Sequence, residues 1–367
     1  MSEVSVHPRR PARWVIIGLG VTAAVAVLWS LLTVLNVRSD GPLWSSVTSD
    51  MADWDLVALN DMPGATGGQR HDEILSLTDA DYYNGVWYLL DRRARMVHRV
   101  DTSGAYIGGF GGAGQGPGEF AAPEALRIRH DTVMVAGGPG GILHAFDVDG
   151  GHLYDRQLRE GCSGPGLQGF DFIPDGLVTL WVCVGDEGLE ARVAVESGSG
   201  SSRVLATRSM LSSRGRDPFF FPVVAVTEEG ILFGLVRDEC LESFSHGGVP
   251  TASVCHTDIP RLPLSDADRR SVEELRTRGP NMNFEMPRDS PPFDGIFVDE
   301  GGSLIYRGTV PGRSHERHLL KISDGGSLES FGFSAPFLFV RKGRVVAGWD
   351  EVEGVRLAFL SLRDGGQ

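Results

Sequence analysis

Several groups of residues have the types and spacing that chemistry requires, and each must be weighed against the chain around it. Gly109 to Gly114 fits G-x-G-x-x-G, the spacing of a loop that holds phosphate on the first free N–H groups of a helix. Pro117, Gly118 and the run Ala121-Ala122-Pro123 break any helix there, and the next apolar segment, Ala125 to Arg129, reads as a strand. The stretch is therefore a joint between β elements and holds no nucleotide. His98 and His144 occupy equivalent positions of a repeat and could converge on a metal, but a repeat equally copies a packing residue. His315 and His318 have the spacing of a helical metal pair, yet they follow Pro311-Gly312 and precede a strand, which reads as a hairpin loop. Asp147-Val148-Asp149-Gly150 opens like a calcium loop but lacks the closing acid, and Asp-Gly between apolar alternations is a hairpin turn. Asp299-Glu300-Gly301-Gly302 reads as another turn, which leaves Asp294 as the one ambiguous carboxylate of that run. G-x-S-x-G is absent, and Ser163 has no nucleophile elbow around it.

The elements that must position these residues are strands. The 49 glycines and 20 prolines are scattered as turn punctuation, and helical periodicity is almost confined to Ser265 to Arg278, with Ser265 as cap. His98 to Gly104 (HRVDTSG) and His144 to Gly150 (HAFDVDG) are two copies of one pattern, with degenerate echoes ending at Gly200, Gly326 and Gly366. Aligned on Val100, Phe146, Val195, Ile322 and Leu362, the steps are about 46, 49, 127 and 40 residues. The long step holds the helix, the proline-bearing stretch Gly279 to Pro292, and further strands at Pro222 to Val226, Gly230 to Val236 and Thr251 to Cys255. The reading is six blades of four strands, an all-β propeller. The first blade is expected to run through Ile74 to Leu77, Gly85 to Leu90, Met96 to Val100 and Ala105 to Phe110. The last, which has only three strands before the chain ends, is expected to be completed by Trp54 to Leu59, tying the ring.

The address is written ahead of these strands. Trp14 to Asn36 is an uncharged apolar run of about 23 residues, long enough to cross a bilayer as a helix, with Arg9, Arg10 and Arg13 before it and acids after it. The expected layout is a cytoplasmic tail over residues 1–13, a transmembrane signal anchor over 14–36, a linker over 37–52 and an extracytoplasmic propeller over 53–367 with an insertion at about 265–292; a cleaved signal peptide is the rival. The formal net charge of −14 argues against nucleic acid or anionic lipid surfaces as partners of the propeller. Cys162, Cys183, Cys240 and Cys255 all fall in the external part, where disulfides form; proximity favours pairing in that order, with buried free thiols as the alternative.

The turn Asp101-Thr102-Ser103-Gly104, the strand Tyr106 to Phe110, the joint Gly114-Gln115-Gly116-Pro117-Gly118-Glu119-Phe120 and the following Pro123 resemble the bacterial extracytoplasmic six-bladed β-propellers related to NHL-repeat and TolB-like proteins. The resemblance is carried by the first two blades and continues only by pattern. It implies a fold and a binding scaffold, which do not by themselves assign function. Recurring aromatics before inner strands serve mainly as wedges between blades. Together with nearby acids they also outline a binding rim at the channel mouth: Glu119, Phe120, Asp171, Phe220, Phe293 and Asp294. The expected function is a membrane-anchored binding module with no cofactor, acting on a protein or small-molecule partner at one face. The alternative is a lactonase-like hydrolase or a lyase with a divalent metal in the channel.

Overall fold

The computed structural model describes residues 44–46, 57–58 and 66–361, apart from 139, 159–161, 199, 213–214, 217–220, 256–258, 260, 262, 265, 279–285, 300, 311–312, 323–327 and 351–353. The apolar run Trp14 to Asn36 lies outside them. Among the described residues no helix is long and apolar enough to cross a membrane.

Six sheets, antiparallel within the blades, are arranged as a ring, and Leu211–Ser212 pairs with Gly215–Arg216 as a separate two-stranded sheet. Blade one comprises Leu77–Tyr83, Val86–Asp91, Met96–Asp101 and Tyr106–Gly111, and blade two Ala125–Arg129, Thr132–Gly137, Ile142–Asp147 and His152–Gln157. Blade three comprises Gly166–Ile173, Gly176–Gly185, Gly188–Ser197 and Ser202–Ser209. Blade four is shorter, with Pro222–Val226, Ile231–Leu235, Cys240–Phe244 and Val254–Cys255. Blade five has Gly295–Val298, Leu304–Val310, Arg313–Ile322 and Leu328–Ala335, and blade six Phe337–Arg341, Arg344–Asp350, Val355–Ser361 and the early strand Thr66–His71. The first strands of successive blades approach one another all the way round, including blade six to blade one, and so line a central channel.

The core lies between the sheets. Tyr88, Val97, Phe110, Phe120, Leu126 and Phe146 pack the wedge between blades one and two, and comparable clusters fill the other seams. Each large side chain buried there contributes about 1.5–3 kcal/mol. This explains why aromatics recur once per blade: flat sheets diverging from an axis leave a wedge that needs bulk.

Three elements depart from the sequence expectation. The ring is closed by Thr66–His71, which pairs antiparallel with Val355–Ser361, and not by Trp54 to Leu59. Val57–Ala58 instead lies parallel to Leu328–Ala335 of blade five, which also takes Trp44–Ser46 on its edge. TGGQRH carries no apolar alternation, so the pattern that marks a buried strand is missing from the segment that closes the ring. The inner strand of blade one is Leu77–Tyr83, later than expected, and the apolar Ile74 is a fully buried plug before it. His318 lies in a long strand and is 1% exposed, not in a solvated loop. The helix is present at Asp266–Arg278, between blades four and five, with Val272 fully buried; Ser265 is outside the described residues.

Candidate functional site

Inner strands present one open edge to the channel, and their outward N–H groups need partners. Blade one supplies them from its side chains. Asp79 Oδ2 accepts the N–H of Leu126 at 3.0 Å and Asp81 Oδ2 that of Ile128 at 2.7 Å, two alternate donors of blade two's inner strand. The spacing of two along Leu77–Tyr83 is what lets both acids face the same neighbour.

Cations complete the ring. Arg127 Nη1 reaches Asp79 Oδ2 at 2.5 Å and its Nε reaches Asp171 Oδ2 at 3.4 Å, joining blades one, two and three. Arg129 donates to the carbonyls of Ile173 and Pro174. From the other side Arg341 Nη2 lies 3.2 Å from Asp79 Oδ1, and Lys342 Nζ donates to the Tyr82 carbonyl at 2.8 Å while standing 3.9 Å from Asp81. Blade five continues the chain: Asp294 accepts Arg307 Nε at 2.6 Å and Arg317 Nε at 2.5 Å, and Arg307 Nη1 donates to the Leu338 carbonyl of blade six. The guanidinium groups of Arg307 and Arg341 both lie over the Phe297 ring. A belt of charge thus stitches blades five, six, one, two and three.

Titration follows from this packing. Burial pushes Asp79 up, but Arg127 and Arg341, with the N–H groups of Leu126 and Ala80, hold it below the ordinary carboxylate range. Burial wins at Asp81, which is raised despite Lys342, Arg341 and Arg127. Burial opposes ionisation of Asp294 too, and Arg307 and Arg317 overcome it, so its pKa is lowered. His318 is pushed down to about 3 by burial and by Arg317, against Asp294.

Two clefts open beside this belt, on the face carrying the turns between first and second strands. One, of about 430 Å³, is lined by Tyr82, Tyr83, Asn84, Gly85, Lys342, Gly343, Arg344 and Ser361 at the seam of blades six and one. The other, of about 290 Å³, lies between blades two and three and includes Arg156 and Glu196, which pair at 2.9 Å.

Of the six rim residues, Asp171 and Asp294 belong to the charged belt. Glu119 and Phe120 belong to the joint: the Glu119 carboxylate accepts the N–H of Gly116, and Phe120 is buried against Phe146 and His144 in the wedge between blades one and two. Phe293 is fully buried edge-on to Tyr306, and Phe220 is outside the described residues. His98 and His144 sit on third strands, where His98 meets Tyr106 and Asp91, and His144 meets Asp155. Asp147 and Asp299 accept the N–H groups of their own turns. The sulfurs of Cys162 and Cys183 are bonded, as are those of Cys240 and Cys255, which face each other across the third and outer strands of blade four. Asp79, Asp81, Arg127, Arg341 and Lys342 were not among the expected site residues. Their signal was available as two acids spaced by two inside an otherwise strand-like segment.

A divalent cation in the channel would need several oxygens with free lone pairs. The belt offers carboxylates already facing guanidinium groups, and among the described residues no cluster of three or more His, Cys, Asp or Glu is arranged to hold a metal. These residues do not fit a channel metal.

No known protein family matches the sequence, and no curated protein does. Solved structures do match in shape. An exported protein of Bacteroides fragilis NCTC 9343 superposes with a TM-score of 0.51 at 12% identity, covering 86% of this chain and 97% of its own. A gluconolactonase of Xanthomonas campestris gives 0.51 at 13% identity over 88% and 95%. A member of the duf4221 family from Bacteroides vulgatus gives 0.50 at 11% over 83% and 97%. At such identities the likeness is one of fold: the chain is a six-bladed β-propeller.

Proposed function

We propose that this chain is an extracytoplasmic binding module, anchored through Trp14 to Asn36, that engages a protein or small-molecule ligand and performs no chemistry of its own. The carrying observation is Asp79, a carboxylate of blade one's inner strand, which bridges Arg127 and Arg341 and two backbone N–H groups. A group so engaged is a structural tie. Two disulfides and the exported neighbour favour an oxidising address outside the cytoplasm. The layout proposed is a tail over 1–13, the anchor over 14–36, a linker over 37–52 and the propeller beyond, related to NHL-repeat and TolB-like proteins. The test is affinity capture with the full chain from its own envelope fraction. A saturable partner is expected, with the chain itself staying in the membranes through alkaline extraction; a chain that begins after residue 36 and washes off would contradict the anchor.

The second reading is a lactonase-like hydrolase or a lyase, favoured by the fold shared with the Xanthomonas gluconolactonase. Lactone turnover by the purified chain that stops on chelation would establish it in place of the first.

A further inference from the structure

We infer that the cleft at the seam of blades six and one is a site for a small organic polycarboxylate. This rests on the reading of the chain as a binding module and adds a ligand class to it. The cleft is about 430 Å³, within the range of small-molecule pockets. Its lining contains Lys342 and Arg344 and no carboxylate, in a chain of net charge −14. The Arg344 Cζ lies over the Tyr82 ring, 4.8 Å from its centroid, and Lys342 Nζ stands 5.5 Å over the Tyr83 ring. Both cations are thus held against aromatic faces in the wall of the cleft. Among the described residues Arg344 has no ion pair, so its planar fork is available to a planar anion, for which carboxylate is the matching group. Lys342 spends one donor on the Tyr82 carbonyl and lies 3.9 Å from Asp81 behind it, leaving the ammonium as a second point charge.

The turn that carries Lys342 fixes where its side chain leaves the backbone. Lys342 has φ +50° and the following Gly343 φ +66°, a turn that favours Asn, Asp or Gly at the first position. The equivalent turn of blade one has Asn84 there, with φ +46°. A lysine in the left-handed region strains the turn, a cost that Arg95 and His130 also carry at their turns. The second cleft shares a left-handed turn residue, His130 at φ +43°, and a cation over an aromatic ring, Arg129 over Phe172, but its lining carries a carboxylate, Glu196, which already faces Arg156 at 2.9 Å.

The experiment is calorimetric titration of the full chain in detergent at low ionic strength, with citrate, inorganic phosphate and glucose as probes. Citrate is expected to bind at one equivalent. R344K, which keeps the charge and loses the fork, is expected to weaken it by about tenfold or more. K342N is expected to weaken it similarly; because it relieves the turn but gives up the tie to Tyr82 and Asp81, folding is checked on R344K, whose melting temperature is expected to stay unchanged. R156Q, in the other cleft, is expected to leave citrate binding unchanged. Absence of citrate binding, indifference to both seam variants, or phosphate binding as tightly with the same sensitivity would overturn the assignment. None of these outcomes bears on whether the chain is catalytic, which lactone turnover tests separately.

Discussion

Asp79 accepts hydrogen bonds from two backbone N–H groups and faces two arginines while only 8% exposed, so its loss takes the ion pair from Arg341 and leaves Arg127 only the longer contact to Asp171. Breaking such a tie from one side costs about 3–5 kcal/mol. D79N is therefore expected to lower unfolding stability by about that much in urea titrations. D171N, whose partner contact is longer and whose side chain is 35% exposed, is expected to cost under about 1 kcal/mol. Equal effects of the two would contradict the central place given to Asp79. His318 supplies a pH signature. Its pKa in the fold is about 3, against an unfolded value near 6.5, so the unfolded chain binds the extra proton first as pH falls. Its contribution is present above about pH 6.5 and lost progressively towards pH 3. H318Q is expected to flatten that window of the stability profile, and an unchanged slope would count against a buried neutral imidazole.

Among elements, the joint after blade one is specified most tightly. Gly111 has φ +88°, and a Cβ there would stand 2.3 Å from Phe120 Cε2. G111A thus combines backbone strain with overpacking, each of about 1–3 kcal/mol, and is expected to lower the melting temperature by several degrees. An unchanged melting temperature would mean that Phe120 is not seated there. This joint was legible in the sequence because glycine and proline requirements are local. The second strands of blades one, four and six were legible for a related reason, being buried apolar runs bounded by turns, as in Val86–Asp91 and Ile231–Leu235. The inner strand of blade one was misplaced because its buried faces carry Asp79 and Asp81, satisfied by groups from blades two and six that no local pattern reveals. The seam cleft was invisible for the same reason: Tyr82 and Arg344 lie far apart in sequence and meet only when the ring closes. Among the expected rim residues, Asp171 and Asp294 share the belt, while Phe120 and Phe293 fill wedges; an aromatic before an inner strand reads the same in either role.

For the whole molecule, ring closure depends on a six-residue strand drawn from the front of the chain. Thr66–His71 covers the edge of blade six and sets the order in which the ring is completed, since its partner strand Val355–Ser361 comes last. A chain starting at residue 62 is expected to keep one cooperative unfolding transition, and one starting at residue 73 to lose it. Retention of cooperativity in the shorter chain would show that another segment ties the ring. The charged belt follows from the same architecture. Five blades contribute to it, and its arginines occupy the carboxylates that a channel metal would need. Elemental analysis of the full chain, purified without chelator and compared with D79N, tests this most directly. Less than one-tenth equivalent of any divalent metal in either protein is expected. A stoichiometric metal in the native chain that D79N abolishes would contradict the reading of the channel as a structural tie.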